Sequence, residues 1–262
     1  MTQDQINGAA PTQAQLPLFY KQPTPLDATK HKELSLKKNF GFNFAKEANA
    51  VPVNMIEMPQ ICHHYPIAFS PDENANPVAI LGLRDNENLF VNEAGHWLSN
   101  TYIPSYIRRY PFIFSELPNS DQLTLCIDNT PDTVEKSNEN SFFNDENKAS
   151  KLSEDALNFC KSYHAAAQQT AQFGKAIAKS GILVERQAQI NAPGNRRISF
   201  SGFRVIDEKK LAELDDSTFL EWRRNGWLPF IYAHLFSVDE KMNTQWNQLS
   251  RLLFERLQED AA

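Results

Sequence analysis

The nine glycines of this 262-residue chain are never close enough together to build a phosphate loop. A G-x-G-x-x-G turn, a Walker loop and a G-x-S-x-G elbow all need glycines at close spacing, and none of these motifs is present. A Rossmann or P-loop nucleotide site is therefore not expected. Neither H-E-x-x-H nor C-x-x-C occurs, so the common zinc signatures are missing. Cysteine is scarce: Cys62, Cys126 and Cys160 are odd in number and far apart. They form no disulfide framework, which fits a reducing compartment. Long apolar runs are lacking as well. The longest, Trp227 to Phe236, spans about ten residues and contains Pro229 and His234. It falls well short of the roughly twenty needed to span a bilayer. Positive charge is in deficit, with 26 Lys and Arg against 32 Asp and Glu. That balance argues against broad binding to nucleic acid or an anionic membrane. The opening MTQDQINGAAPTQAQ has no basic start and no apolar stretch. A Sec signal is not expected, and the chain reads as soluble and cytoplasmic.

What is present is material for a core. Hydrophobic residues make up 41% and charged residues 22%, with eighteen Phe, which suits one large globular domain or two small ones. Residues 1–15 are polar and expected to be disordered. Residues 16–37 read as an extended arm, because Pro17, Pro23 and Pro25 forbid a regular helix. Strands are expected at Val51–Glu57, Pro66–Ser70, Pro111–Glu116 and Gln122–Asp128, with a helical turn at Pro59–His64. Val78–Leu83 and Leu89–Val91 read as a hairpin across Arg84–Asn88, followed by a turn at Asn92–Gly95. Pro104 starts a helix that runs through Arg109.

The Asn-, Asp- and Ser-rich stretch 129–150 reads as a polar surface linker between a β-rich part (16–128) and a helix-rich part (151–258). Ser153 can cap a long helix. One face of that helix would carry Leu157, Cys160, His164, Ala167, Ala171, Gly174 and Ala178, and Ser180-Gly181 would end it. Leu183–Ile190 and Arg197–Ile206 read as a hairpin around Pro193-Gly194-Asn195, and Glu208–Leu214 and Ser217–Asn225 as short helices. A last helix opens at Asp239 and buries Met242, Trp246, Leu249, Leu253 and Leu257. The sum is an α+β fold, mainly antiparallel in its first half and helix-rich in its second.

Several groups could carry chemistry. Arg84, Arg108, Arg109 and Tyr110 could form an anion pocket, since guanidinium suits carboxylates and phosphates. They could equally pair with nearby acids such as Asp85, Glu87 and Asp128. Asn88 ends the turn that Arg84 begins. Trp97, Tyr102, Tyr106, Tyr110 and Phe112 make an aromatic patch that fits either a partner interface or a half-buried sheet face. His31 and His234 are candidate bases, and a lone histidine beside Tyr232 and Phe236 is more often a hydrogen-bonded core residue. Cys62-His63-His64 and the Cys160/His164 pair are metal candidates. Adjacent side chains diverge, so packing or surface placement is expected of the first group, and the helical pair lacks a second ligand pair, so packing is expected of it. No triad can be assembled, and no cofactor or metal is expected.

Beyond this residue-level reading, the chain resembles the SapC family of bacterial proteins. The resemblance rests on VAILGLRDNENLFVNEAGHWLSNTYIPSYIRRYPF (78–112), supported by LPLFYKQPTPLDATKHKEL (16–34) and NGWLPFIYAHLFS (225–237). It extends over about Leu16–Leu257. It implies a soluble accessory protein linked to the surface layer or envelope that binds a partner protein or a cell-surface component. The alternative is a small-molecule-binding protein or enzyme with a pocket for a small anionic ligand near Arg84, Arg108 and Arg109. The family brings no agreed catalytic residues. A transporter permease of the same name is a different protein, and no segment here could serve as its membrane span.

Overall fold

Short apolar runs broken by proline, asparagine and serine give short strands, and the fold is built from many of them. The computed structural model describes residues 16–116, 123–192, 196–239 and 244–259. The arm carries β1 (Pro23–Pro25) and β2 (Leu34–Leu36). Next come β3 (Ala50–Pro52), a 3-10 turn at Met55–Glu57, α1 (Met58–Ile61), β4 (Ile67–Phe69) and β5 (Pro77–Ile80). The chain continues through α2 (Ser105–Arg109), β6 (Phe112–Glu116), β7 (Leu123–Asp128), β8 (Val134–Lys136) and α3 (Lys151–Lys179). It closes with β9 (Leu183–Ala192), β10 (Arg196–Ile206), α4 (Glu208–Ala212), α5 (Asp216–Arg224), α6 (Leu228–Val238) and α7 (Thr244–Glu259). Three antiparallel sheets result, in the orders β1-β7-β6, β3-β5-β4-β10-β9 and β2-β8. The fold is α+β.

The main core lies between the five-stranded sheet and the C-terminal helices. Val51, Ile67 and Ala79 share one row across β3, β4 and β5 and are fully buried. Phe173 and Ile177 of α3, Trp222 of α5, Ile231 of α6, and Leu249 and Leu253 of α7 close over the same core. Each such side chain stabilises the fold by roughly 1.5–3 kcal/mol relative to exposure. Two smaller clusters lie apart from it, one around Tyr20, Tyr110, Ile113 and Cys126 and one around Phe112, Ile127, Phe142 and Cys160.

Several expectations need correction. The strand expected over Val51–Glu57 stops at Pro52. There Asn54 caps the next turn, and Glu57 reaches back to the Asn54 N–H in a capping box. Val78–Leu83 and Leu89–Val91 do not pair as a hairpin. Both edges of β5 are already taken, by β3 and β4. Leu89 N–H reaches Leu81 O at 2.9 Å, and Val91 bridges Trp97 instead. The long helix begins earlier than expected: Ser150 is its cap and accepts from Ser153 N–H, while Ser153 Oγ donates to Phe142 O at 2.7 Å. Its buried face carries Cys160, Ala166, Thr170, Phe173, Gly174 and Ile177. The large side chains Phe173 and Ile177 rotate the packed stripe away from the small-residue stripe, and the two share Cys160 and Gly174.

Within 129–150, β8 pairs with β2 and Phe142 is fully buried. Polar composition hid one strand and one anchor in a segment read as a linker. The turn 193–195, and Met242 of the last helix, lie outside the described residues. Within α7, Leu249 and Leu253 are buried and Trp246 and Leu257 are partly buried.

The junction between β4 and β10 is the unusual part of the large sheet. These strands meet at a single register pair, Arg204 with Phe69. Side chains supply the missing ladder bonds. Ile206 N–H donates to His234 Nε2 at 3.0 Å, so the ring proton sits on Nδ1 and donates to Ile67 O at 2.8 Å. Ser237 Oγ accepts from Ile67 N–H at 2.9 Å. The Arg204 guanidinium donates to Ser70 O and Asp72 O where β4 ends. His234 is thus the buried, hydrogen-bonded core histidine that its apolar neighbours suggested.

Burial lowers the His234 pKa to about 4 from an ordinary value of 6.5. Between those values the unfolded chain binds the proton and the folded chain does not, so stability is full above pH 6.5 and falls as pH drops towards 4. The loss over this window is on the order of 3 kcal/mol. We expect urea denaturation of the wild type to show this decline. His234→Ala should lose about 2–4 kcal/mol at pH 7.5, because Ile206 N–H and Ile67 O are left unpaired in the core, and its stability should vary less over the same window. A mutant as stable as wild type at pH 7.5 would contradict the role.

Candidate functional site

The aromatic–arginine block folds around α2, and most of its polar atoms face inward. The α2 segment SYIRR is only five residues long, and a carboxylate from elsewhere holds its start. Glu57 Oε1 accepts from Ser105 N–H at 2.8 Å and from Tyr102 Oη at 2.7 Å. Glu57 Oε2 accepts from Ser105 Oγ and from Asn54 N–H. Arg108 completes the ring. Its Nη2 donates to Tyr102 Oη at 2.9 Å, lies 3.8 Å from Glu57, and its Nε donates to Ile103 O. Its guanidinium also lies over the Tyr102 and Phe159 rings. The Tyr102 phenol is pushed up to about 12, by burial first and then by the Glu57 carboxylate that accepts its proton.

Arg109 points the other way, into a cage of three tyrosines. Its guanidinium carbon is 4.3 Å from the Tyr163 ring centroid, 4.8 Å from Tyr106 and 5.7 Å from Tyr20. These rings come from α3, α2 and the N-terminal arm, so one cation fastens three elements. Arg109 Nε is buried without a hydrogen-bond partner, and Arg109 forms no ion pair among the described residues. Burial raises all three phenols, and the guanidinium offsets part of that rise. Burial also pushes the nearby Cys160 thiol up to about 11, which disfavours the reactive thiolate.

Tyr110 stacks on Phe44 at 4.1 Å and donates to Asp128 Oδ2 at 2.8 Å. Asp128 Oδ1 accepts from Lys21 N–H and Gln22 N–H. The same carboxylate therefore ties the arm to β7. Tyr106 donates to Leu18 O at 3.3 Å. Trp97 is buried, stacks on Phe90 and donates to Tyr65 Oη at 3.3 Å. His31 accepts from Asp27 N–H within its own turn.

Arg84 stands elsewhere. Its guanidinium is bidentate to Glu87 in the turn after β5. Asn88 is buried beside it, donating to Ala45 O at 3.0 Å and accepting from Phe90 N–H at 2.9 Å. Of the residues expected to share an anion pocket, Arg84 pairs with Glu87, Arg108 with Tyr102 and Glu57, Arg109 with three tyrosine rings and Tyr110 with Asp128. Among the described residues, no group of three or more His, Cys, Asp and Glu side chains could hold a metal ion.

Two open clefts adjoin the Arg84 turn. One, of about 530 Å³, is lined by Lys46, Arg84 and Arg256 with Glu47, Asp85, Glu87 and Glu93. Its charges are cross-linked, Glu93 lying 3.0 Å from Lys46 and 3.7 Å from Arg256. The other is a groove of about 550 Å³ on the large sheet. Partly exposed Ala50 and Val78, over the buried Ile80 and Leu83, form its apolar floor, Asn49, Ser70, Arg84 and Asp85 add polar lining, and β10 residues Ile198 through Phe203 line it consecutively as one wall.

Sequence reasoning named Asp128 as a possible partner of this group but missed Glu57, Tyr20, Tyr163 and this wall. Glu57 was legible, since Asn54-x-x-Glu57 is a capping-box spacing. The others meet their partners across long sequence separations, which no local pattern reports.

The family model for SapC matches residues 26–243. No curated protein and no solved structure matches the chain.

The Glu57 ring predicts a structural penalty. Glu57→Gln keeps the shape but weakens the charge-assisted bonds to Ser105, Tyr102 and Arg108. We expect a loss of about 2 kcal/mol in chemical denaturation. Arg108→Gln should add little to it, because both changes break one network. Full additivity of the two losses would show that the network does not act as a unit.

Proposed function

The chain belongs to the SapC family, and from that premise we propose that it is an accessory protein that works by binding rather than by catalysis. Its partner is a protein or a cell-surface component, and its setting is the assembly of the surface layer or envelope from the cytoplasmic side. No described helix is long and apolar enough to cross a membrane, so the proposal includes no membrane-spanning role. The observation that carries the reading is the groove on the large sheet. It is apolar at its floor, polar at its rim and open to solvent, the pattern of a recognition surface. The polar groups of the residue types that serve in catalysis are in keeping with this reading. Glu57, Tyr102, Asn88, Tyr110 and His234 are each engaged in internal hydrogen bonds.

One observation favours a second reading. Arg109 holds a cation among three rings with its Nε unpartnered, and a small anion could complete it in place of a partner protein.

A single experiment separates the two. The protein is affinity-purified at native level from cells that carry the gene, as wild type and as Ala50→Trp, and the eluate is read by mass spectrometry for proteins and small molecules. Ala50 is a partly exposed residue of the groove floor, so a tryptophan there fills the groove. The binding reading expects a stoichiometric protein or surface component with the wild type, reduced at least tenfold by Ala50→Trp while circular dichroism stays unchanged. A preparation free of partner but carrying a small anion moves the assignment to Arg109. A preparation carrying neither contradicts both.

A further inference from the structure

We propose that the groove takes an extended polypeptide segment, which adds as a strand along the β10 edge. The proposal rests on the binding reading above and names the chemistry of the occupant. It starts from a periodicity. Side chains on a strand alternate between faces, so a cleft bordered by a strand's face is lined by every second residue. Here Ile198 through Phe203 line the groove consecutively. Consecutive lining is what a strand gives when its backbone edge borders the cleft.

That edge is open for a definable reason. β4 ends at Phe69, and β10 pairs with it only at Arg204. The stretch before Arg204 therefore projects past the last residue of its neighbour, paired with β9 on its other side. Among the described residues no backbone hydrogen bond reaches Ile198–Phe203 from the β4 side. Soluble proteins blunt such an edge with lysine, proline or a β-bulge; this stretch has no lysine or proline, and its one such device is the bulge between Phe200 and Phe203. Within it, the pairing with β9 skips between Phe200 and Phe203, and Gly202 has a φ of 85°. A Cβ at Gly202 would meet nothing within 4 Å, so the space on that side of Gly202 is open.

An occupant must satisfy a row of backbone N–H and C=O groups about six residues long, roughly 20 Å at strand rise. It must also place apolar groups over Ala50, Val78 and Ile80. An extended peptide with alternating apolar positions does both, and strand addition is a common way to read such an edge. A small anion uses neither feature, and nucleic acid is disfavoured by the net charge of −6.

The test uses the full-length chain and a displayed library of linear ten-residue peptides, half of them with alternating apolar and polar positions. The strongest binder is resynthesised with single N-methyl groups at each position. Strand addition expects binders from the alternating half and slowing of amide exchange by at least fivefold within residues 198–203. N-methylation should cost at least tenfold in affinity at every second position and less than twofold between. The proposal is overturned if no peptide binds, if protection falls elsewhere, or if N-methylation shows no alternation. It is equally overturned if the amides of 198–203 that face away from β9 are already protected in the free chain, by a second copy or by another segment. If the peptides fail while Ala50→Trp still loses its native partner, strand addition falls and the binding reading stands. If Ala50→Trp keeps its partner, the groove itself is ruled out.

Discussion

The large sheet depends on how β10 is attached to β4. Two strands that share one register pair would leave a row of buried backbone groups unpaired, at a cost of about 1–3 kcal/mol each. The fold avoids that cost by inserting side chains from α6 and from β10 itself. His234 bridges Ile67 O and Ile206 N–H, Ser237 takes Ile67 N–H, and Arg204 covers Ser70 O and Asp72 O. This attachment lets β10 stay joined at one end while leaving the sheet at the other. The groove exists because of that departure, and its wall is the part of β10 beyond the junction.

The second constraint is how the N-terminal arm is held. The arm has short strands and little core of its own, so buried polar contacts do the fastening. Asp128 receives two arm amides and the Tyr110 hydroxyl. Arg109 gathers Tyr20, Tyr106 and Tyr163, and Glu57 clamps the start of α2. The residue types that invite a catalytic reading, arginine beside tyrosine and carboxylate, here close a structure whose satellite clusters are small. A buried charge needs its partners whatever its role, so clustering alone does not separate a site from a fastener. What separates them is whether any group is left facing open space, and in this fold the groove meets that condition.

Local chemistry explains what the sequence made legible. Pro104 ahead of SYIRR, Asn92–Gly95, Ser180-Gly181 and the α+β division all rest on short-range rules of caps, turns and periodicity. The errors sit where distant segments compete. β5 looked free to pair forward with Leu89–Val91, but β3 and β4 occupy both of its edges. The small-residue stripe of α3 is regular, yet Phe173 and Ile177 bury more surface and set the packed face. Arg84 and Arg108 are 24 residues apart in a run that looks continuous, and each meets its own carboxylate, Glu87 and Glu57. The groove wall was invisible for a plainer reason. ISFSGF reads as an ordinary strand, and nothing in its residues tells that its neighbour stops short.

The account stands on the groove wall being where a partner lies. The most direct measurement places a photo-crosslinking amino acid at Ser201 in the wall, and in a control at the exposed Lys38 just after the arm, in living cells. The crosslinked residues are then mapped on whatever is captured. The account predicts that position 201 captures one stoichiometric partner, joined through a single extended segment, and that position 38 does not capture it. No product at 201, or the same product from both positions, would contradict it.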